Sequence, residues 1–503
     1  MVNGLAASAQ VLWALSDLGA TRRFAAGLKY PKVTQWRWLE ARLRRDRHRA
    51  FGREHDFARI ENYTDFAQQV PIRDWAETAP WIDRIRQGEV DVLTTGTVTH
   101  LAPTSGSNGA RKLIPFTADL QRGFTEGIGA WMTDLRRTRP GILAGPAYWA
   151  ISPLSVGTEQ EGSAVRIGFA DDAEYLGKGQ AWLVRRAMAV PAELRLEQDM
   201  GTFWQRTLGY LLRERDLRLI SVWHPTFLEL LLEAAEQNWT WLCAGIERAD
   251  RRKELLRLGP RGWTHWWPKL QVISCWGDQA ATGGWRALQE KFPRILVQAK
   301  GLLATEAVIT LPKRGVYPLA VTSHFFEFVD EAGGVHCAHE LEPGGKYEVV
   351  VTNGGGLWRY RLGDVVECVG RLANTPTFKF LGRKGNVSDL CGEKLSEQFV
   401  EEVFSRIWRN GHGRPAAVWL RAKSETSSLS GYDLVSSTGL SAEVVTAIET
   451  ELAKNPHYAL ARKLGQLREL NPVVQPPGHR EIEIPGKRMG DVKPRVLESR
   501  GKA

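Results

Sequence analysis

Cysteine is scarce: there are five in 503 residues. Cys243, Cys275, Cys337, Cys368 and Cys391 never approach the spacing of a zinc site or a redox pair, so neither is expected, and reduced thiols in a cytoplasm are. No run of 18 apolar residues occurs, which excludes a membrane-spanning helix. The first twenty residues hold an apolar patch at Val11 to Leu15. They lack a basic leader, are interrupted by Asp17 and offer no small-residue cleavage site, so export is not expected. Internal repeats and low-complexity segments are missing too, which sets aside solenoid architectures. The P-loop, with four residues between its first glycine and Gly-Lys-Ser/Thr, is also absent, and with it the commonest ATP-binding solution.

What is present is the balance of a globular enzyme, with 43% hydrophobic and 25% charged residues. A chain of this length exceeds one ordinary domain and predicts a large domain with a smaller companion. The net charge is +10, and its densest block is Arg42-Leu43-Arg44-Arg45-Asp46-Arg47-His48-Arg49. Such a block, in a chain with 20 tryptophans, admits a nucleic-acid-binding reading. The helical spacing of Trp36, Leu39 and Leu43 favours a plainer one, in which the arginines form the solvated face of an amphipathic helix. A basic surplus also suits a polyanionic nucleotide.

Residues 1 to 70 read as helical, with a cap at Asn62 or Thr64. An extended run at Val90 to Thr95 is followed by a turn at Gly96 and a second extended run to Leu101, then a small-residue loop. From about 120 to 350, helices such as Phe227 to Glu236 alternate with apolar runs such as Leu270 to Cys275 and Ile295 to Val297, predicting an α/β protein with buried strands. Tyr347 to Thr352 and Leu357 to Val369 read as strands about the turn Gly354-Gly355-Gly356. Beyond Gly382 a shorter α+β unit begins. It has a helix from Ser396, strands at Ala417 to Arg421 and Tyr432 to Ser436, a helix at Ser441 to Leu452 and a strand near Val473. The expected domains are therefore 1–382 and 383–503, joined near Gly382-Arg383-Lys384-Gly385, a candidate hinge.

Five segments can carry chemistry. Thr104-Ser105-Gly106-Ser107-Asn108-Gly109-Ala110-Arg111-Lys112 joins hydroxyls, permissive glycines and a terminal cation. Such a loop can turn N–H groups toward phosphate, although an ordinary polar turn has the same composition. Gly301-Leu302-Leu303-Ala304-Thr305-Glu306 follows an apolar strand, and its carboxylate can hold magnesium or simply face solvent. Asp364, within Trp358 to Asp364, offers two acceptors suited to a ribose diol, although an Arg-Gly-Asp-like turn with no such role has the same residues. Arg383 and Lys493 lie in Phe380 to Lys384 and in Gly490-Asp491-Val492-Lys493-Pro494-Arg495.

In this order the segments resemble the adenylate-forming superfamily and, more narrowly, the bacterial form of the GH3 acyl-acid amido synthetase family. Leu113-Ile114-Pro115-Phe116-Thr117 after the loop, Phe51-Gly52-Arg53, Val70-Pro71-Ile72, Ile85 to Glu89, Tyr347 to Asp364 and Asn455-Pro456-His457-Tyr458 carry the narrower likeness. It runs over about residues 30 to 497. The resemblance implies a large adenylate-forming domain of mixed sheets and helices and a small, mobile α+β domain. It implies that the loop (Thr104, Ser105, Gly106, Ser107, Asn108, Gly109 and Lys112) holds the phosphates of ATP. Thr305 would meet the α-phosphate region, Glu306 would support Mg2+, Asp364 would hold the ribose hydroxyls and Arg383 would contact the nucleotide. Lys493 would neutralise charge on the phosphates, and Trp276 to Asp278 with Thr282 would lie beside the adenine and acyl groups. His224, before the helix from Phe227, is a candidate acyl-pocket residue or a plain helix-end residue. Two positions depart from the family's pattern. Asn108 stands where a Thr or Ser is usual, and Leu303 lies near a place usually aromatic, leaving the adenine-stacking surface unassigned.

The expected activity is an AMP-producing ligase that adenylates a small carboxylic acid and passes the acyl group to an amine, such as an amino acid. An acyl-CoA ligase, which shares the first step, and a degenerate, binding-only member are the rivals. Neither a nucleic-acid nor a membrane partner is expected.

Overall fold

A computed structural model describes residues 2–104, 112–150, 163–167, 178–197, 199–278, 281–384, 387–409, 415, 418–423, 430–475 and 496–498. They fall into two compact units. The larger takes the described residues of 1–104, 112–279 and 285–382, and the smaller those of 280–284 and 383–503.

The larger unit begins with the helices Val2–Ser16, Leu18–Lys29 and Pro31–Asp46, the last opened by a proline whose missing N–H costs nothing there. A short helix, Tyr63–Gln69, starts at a reciprocal cap in which the Asn62 side chain accepts from the Asp65 N–H while the Asp65 carboxylate accepts from the Asn62 N–H. Trp13, Phe24, Leu39 and Leu43 seat these helices in the core. The basic block is not uniformly the solvated face expected of it. Arg42 is buried, bonding the Asp119 carboxylate at 2.7 Å and the Gly354 carbonyl at 3.0 Å, because it faces a carboxylate 77 residues away that helical spacing cannot reveal. Arg44, Arg45 and Arg47 remain exposed.

Strands β1 (Val98–Thr104) and β2 (Lys112–Thr117) form an antiparallel hairpin. The extended run expected at Val90 to Thr95 does not form a strand. Asp91 takes a positive φ of 63°, and the Asp91 and Val92 carbonyls accept instead from the N–H groups of Ala50 and Phe51. Thr117 caps the long helix Ala118–Thr138, whose apolar face enters the core.

Four short strands, β3 (Ala147–Trp149), β4 (Leu219–Ser221), β5 (Val272–Cys275) and β6 (Leu296–Ala299), make a parallel sheet in sequential order. Their buried, β-branched and aliphatic residues are what a sheet covered on both faces requires. With all strands parallel, their carboxyl ends lie along one edge, the edge at which open α/β sheets bind ligands.

An antiparallel sheet follows, built from β7 (Phe325–Val329), β8 (Val335–Cys337), β9 (Lys346–Thr352), β10 (Tyr360–Leu372) and β11 (Thr375–Arg383) in the order β11-β10-β9-β7-β8. It is pinned by a buried ion pair. Arg359 donates to Glu327 at 2.7 Å and to the carbonyls of Ala67 and Val70, while the Tyr63 hydroxyl donates to Glu327 at 2.8 Å.

The smaller unit has the two-stranded β12 (Val387–Ser388) and β13 (Leu395–Ser396). It also has a four-stranded sheet of β14 (Val418–Lys423), β15 (Gly431–Ser436), β16 (Asn471–Val474) and β17 (Leu497–Glu498), ordered β16-β15-β14-β17. The helix Glu397–Arg409 buries Val400, Val403, Phe404 and Ile407 on one face, as the spacing predicts, in a core shared with Ile448 and Leu452 of the helix Ala442–Leu452. Inside it, the fully buried Glu393 accepts from the N–H groups of Leu390 and Cys391 and from the Tyr432 hydroxyl; burial pushes its carboxyl above the ordinary range. The α/β class expected from the sequence holds, with helices and several sheets in one chain.

Candidate active site

The candidate phosphate loop is framed by the hairpin. Thr104 and Lys112 are register partners that close its stem, while Ser105, Gly106, Ser107, Asn108 and Gly109 lie outside the described residues. Lys112 is buried. Its Nζ donates to the Tyr360 hydroxyl at 3.1 Å and stands 5.9 Å from the Trp75 ring centre, so a cation is held at the base of the loop between two aromatic rings.

Thr305 and Glu306 form the tip of a second, much tighter hairpin. Ala304 and Ala307 exchange both backbone hydrogen bonds across them, and Leu303 bridges Val308. Glu306 is buried, and its carbonyl accepts from the Asn353 side-chain amide at 2.8 Å. The same Asn353, fully buried, accepts through Oδ1 from the N–H groups of Gly355 at 2.9 Å and Leu357 at 3.1 Å. The Gly354 carbonyl in turn accepts from Thr117 and Arg42. Glycine is required in this turn because a Cβ on Gly355 would stand 2.3 Å from the Pro115 carbonyl oxygen. One hydrogen-bonded frame therefore joins the hairpin of β1 and β2, the Thr305–Glu306 hairpin and the start of β10. Asp364 lies four residues beyond Tyr360 on β10. It is buried and sits where the register with β9 shifts between Arg361 and Val365.

The remaining candidates follow the carboxyl ends of the parallel strands. His224 comes after β4 and caps the helix Pro225–Gln237, its Nδ1 paired with the Thr226 hydroxyl at 2.8 Å, which is the helix-end role. Trp276 comes after β5, half-buried, with its ring 5.5 Å from that of Phe380 in an edge contact. Two residues on, Asp278 lines a crevice with Leu302, Thr310, Tyr317 and Phe380. Burial pushes its carboxyl up to about 6, against the opposing pull of Lys379. Burial and the nearby Asp278 carboxylate raise the Tyr317 phenol to about 12. Thr282, which opens the helix Thr282–Lys291, and Arg383, which ends β11, belong to the smaller unit. Lys493 lies outside the described residues.

The larger unit thus gathers Thr104, Lys112, Thr305 and Glu306 on one frame, with Asp364 on the strand that frame anchors. Among the described residues no cluster of three or more His, Cys, Asp or Glu side chains is placed to hold a metal. A single buried carboxylate at a hairpin tip suits Mg2+, which keeps its waters and takes one or two carboxylates beside substrate phosphates. Sequence reasoning missed Asn353, whose role depends on contacts 47 residues away. Asp278 it read only as part of a segment. Asp278 follows an apolar run by a few residues, a signal that identifies the ligand edge once the sheet is known to be parallel.

The sequence matches the GH3 family N-terminal domain over residues 20–259 and the GH3 family central domain over residues 317–383. It is 23% identical over 394 residues to the 4-substituted benzoates-glutamate ligase GH3.12 of Arabidopsis thaliana, covering 68% of this chain and 67% of that protein. In fold it resembles the GH3.15 acyl acid amido synthetase in complex with 2,4-DB, with a TM-score of 0.65 at 18% identity, covering 97% of this chain and 95% of that one. It also resembles a 2-hydroxyisobutyryl-CoA ligase in complex with 2-HIB-AMP and CoA, with a TM-score of 0.57 at 14% identity, covering 94% and 91%.

Proposed function

Because the chain belongs to the GH3 family, matching its N-terminal and central domains over more than half its length, we propose that it is an ATP-dependent acid–amine ligase. It joins a small carboxylic acid to an amine, such as an amino acid, through an acyl-adenylate. The substrate carboxylate attacks the α-phosphorus of ATP and pyrophosphate leaves. The amine then attacks the acyl carbon of the mixed anhydride, the carbon–oxygen bond to AMP breaks, and the amine's proton passes to solvent. A carboxylate needs no activating base, so the protein's task is alignment and charge neutralisation.

The observation that carries this reading is the hydrogen-bonded frame. Its two hairpins present a buried cation, Lys112, and a buried carboxylate, Glu306, from chain segments nearly 200 residues apart. In the proposed assignment Thr104 and Lys112 hold phosphate with the loop between them, Thr305 meets the α-phosphate and Glu306 holds Mg2+. Asp364 takes the ribose hydroxyls, Arg383 contacts the nucleotide and Lys493 neutralises charge on the phosphates. Bound there, Mg2+ would supply charge neutralisation on the phosphates. Domain boundaries at 382/383 and a cytoplasmic setting belong to the same proposal. Trp276, edge-on to Phe380, makes with it the candidate adenine wall in place of the aromatic missing near Leu303.

The test is acid-dependent pyrophosphate release across aromatic, aliphatic and indole carboxylic acids, followed by product analysis with amino acids and with CoA. Amide and AMP are expected. ADP as the nucleotide product would defeat adenylation, and a thioester formed in preference to an amide would assign the CoA-ligase reading.

A further inference from the structure

The helix Val2–Ser16 has no charged residue on any face. A helix apolar all round belongs in an interior, yet one side of this one is open to solvent. On its covered side Ala6, Ala9, Gln10 and Trp13 are buried, with the Trp13 ring edge-on to Trp149 at 5.6 Å. Its open side presents Leu5, Val11, Leu12 and Leu15, and Leu18 continues the stripe, the five being 39% to 60% exposed. Backbone hydrogen bonds run through the junction with the helix Leu18–Lys29, from the Asp17 N–H to the Trp13 carbonyl at 3.1 Å and from the Thr21 N–H to the Asp17 carbonyl at 3.0 Å. The stripe therefore reaches the exposed Arg22, four residues beyond Leu18. The helix Lys178–Ala187 packs beside the first. Its Gln180 donates to the Ser16 hydroxyl at 3.0 Å and to the Asp17 carboxylate at 3.2 Å. Two residues on, Trp182 is exposed, with the Arg186 guanidinium 4.4 Å from its ring centre.

Charge on these three helices has one sign at the surface. Asp17 is the acidic residue of the stretches 2–29 and 178–187, and it is buried against Arg136 at 2.6 Å. Arg23 pairs with Glu126, while Arg22 and Arg186 face solvent. Exposed leucines and a tryptophan, rimmed by arginines and by no carboxylate of these helices, complement an anionic lipid layer. The arginines meet phosphates, and the apolar side chains enter the boundary of the acyl chains. A second copy of the chain fits less well, because a symmetric pairing sets the face against itself with no carboxylate to answer either set of arginines. The first helix has 15 residues and is about 22 Å long, short of the roughly 30 Å of a hydrocarbon core, so it would lie in the interface rather than cross it. We propose that this face of the larger unit docks on the surface of an anionic membrane. The expectation of no membrane partner rested on the lack of a spanning run, and surface attachment needs none. The proposal is independent of the ligase reading.

Co-sedimentation of the full chain in physiological salt tests this, with vesicles of phosphatidylcholine and phosphatidylglycerol in equal parts and with vesicles of phosphatidylcholine alone. Wild-type protein is expected to partition onto the anionic vesicles about tenfold or more better than onto the neutral ones. The double variant Leu12→Glu/Leu15→Glu, at exposed positions, should weaken that binding about tenfold or more. Leu256→Glu, at an exposed leucine of the separate helix Ala249–Leu258, should leave it unchanged. Arg22→Gln/Arg186→Gln keeps the leucines and should narrow the difference between the two vesicle types, with thermal melts confirming that each variant folds. Should the leucine variant not fold, amide exchange in wild type decides: slower exchange over residues 2–16 with anionic vesicles supports the proposal, and unchanged exchange overturns it. Wild type that ignores anionic vesicles, binds both kinds equally, or binds as well after Leu12→Glu/Leu15→Glu would overturn it too. A wild-type dimer in sedimentation velocity that the leucine variant turns into monomer, with no vesicle binding, would assign the face to a second copy instead.

Discussion

Replacing Asn353 should loosen the Thr305–Glu306 hairpin and the glycine turn together. Its side chain is fully buried and makes three hydrogen bonds, at 2.8 Å to the Glu306 carbonyl, 2.9 Å from Gly355 and 3.1 Å from Leu357. At about 1 kcal/mol net for each bond, Asn353→Ala removes about 3 kcal/mol from the larger unit, a hundredfold or so in its unfolding equilibrium. Asn353→Asp separates the two ends of the device. It keeps the acceptors for Gly355 and Leu357 but turns a carboxylate oxygen toward the Glu306 carbonyl, so the hairpin loses its tether while the turn keeps its own. Urea denaturation followed by tryptophan fluorescence measures the stability, and ATP–pyrophosphate exchange, run where both variants are folded, measures the hairpin. Both should lose stability, alanine through the missing bonds and aspartate through a buried carboxylate that faces a carbonyl, and both should slow exchange. An Asn353→Ala protein within about 0.5 kcal/mol of wild type, with normal exchange, would refute the reasoning.

Three further expectations follow the same logic. Glu327→Gln leaves the buried Arg359 guanidinium without its counter-charge and should cost about 3–5 kcal/mol by denaturant midpoint, since breaking one half of a buried pair strands the other. The raised Asp278 carboxyl means that the folded protein holds this proton more tightly than the unfolded chain does. Its stabilising contribution is therefore complete below the ordinary 3.8 and is lost as pH rises through about 6. Asp278→Asn should flatten that part of the stability profile, and an unchanged profile would remove Asp278 as its source. Glu306→Ala and Lys493→Ala should each slow adenylation by roughly a hundredfold with folding intact, the usual scale for removing one transition-state charge partner. Near-native pyrophosphate exchange in both would remove their assigned roles.

Much of the fold was legible because local pattern and tertiary demand agree. The helix from Glu397 buries the four residues that its periodicity selects, and Asn62 caps the helix it precedes. The failures share a cause. Val90 to Thr95 has strand-like composition, but its carbonyls are claimed by the N–H groups of Ala50 and Phe51, so no ladder forms. Arg42 reads as surface because Asp119 and Gly354, which make its burial tolerable, are remote in the chain. The candidate site divides the same way. Residues embedded in ordered segments, such as Lys112 and Glu306, could be picked out from the chain. Asn353 matters only through what the glycine turn and the Thr305–Glu306 hairpin bring beside it.

That glycine turn also sets an order of events during synthesis. The hairpin of β1 and β2 spans residues 98–117, yet its supports are Gly354, which receives Thr117 and Arg42, and Tyr360, which receives Lys112. A chain emerging from the ribosome makes the hairpin some 240 residues before its supports, so this cradle can dock only after most of the larger unit has been translated. Until then the cation of Lys112 and the polar edge of Thr117 have water rather than protein for partners. The hydrogen-bonded frame is thus a late product of translation, and a nascent chain halted before Gly354 would carry the hairpin without its supports.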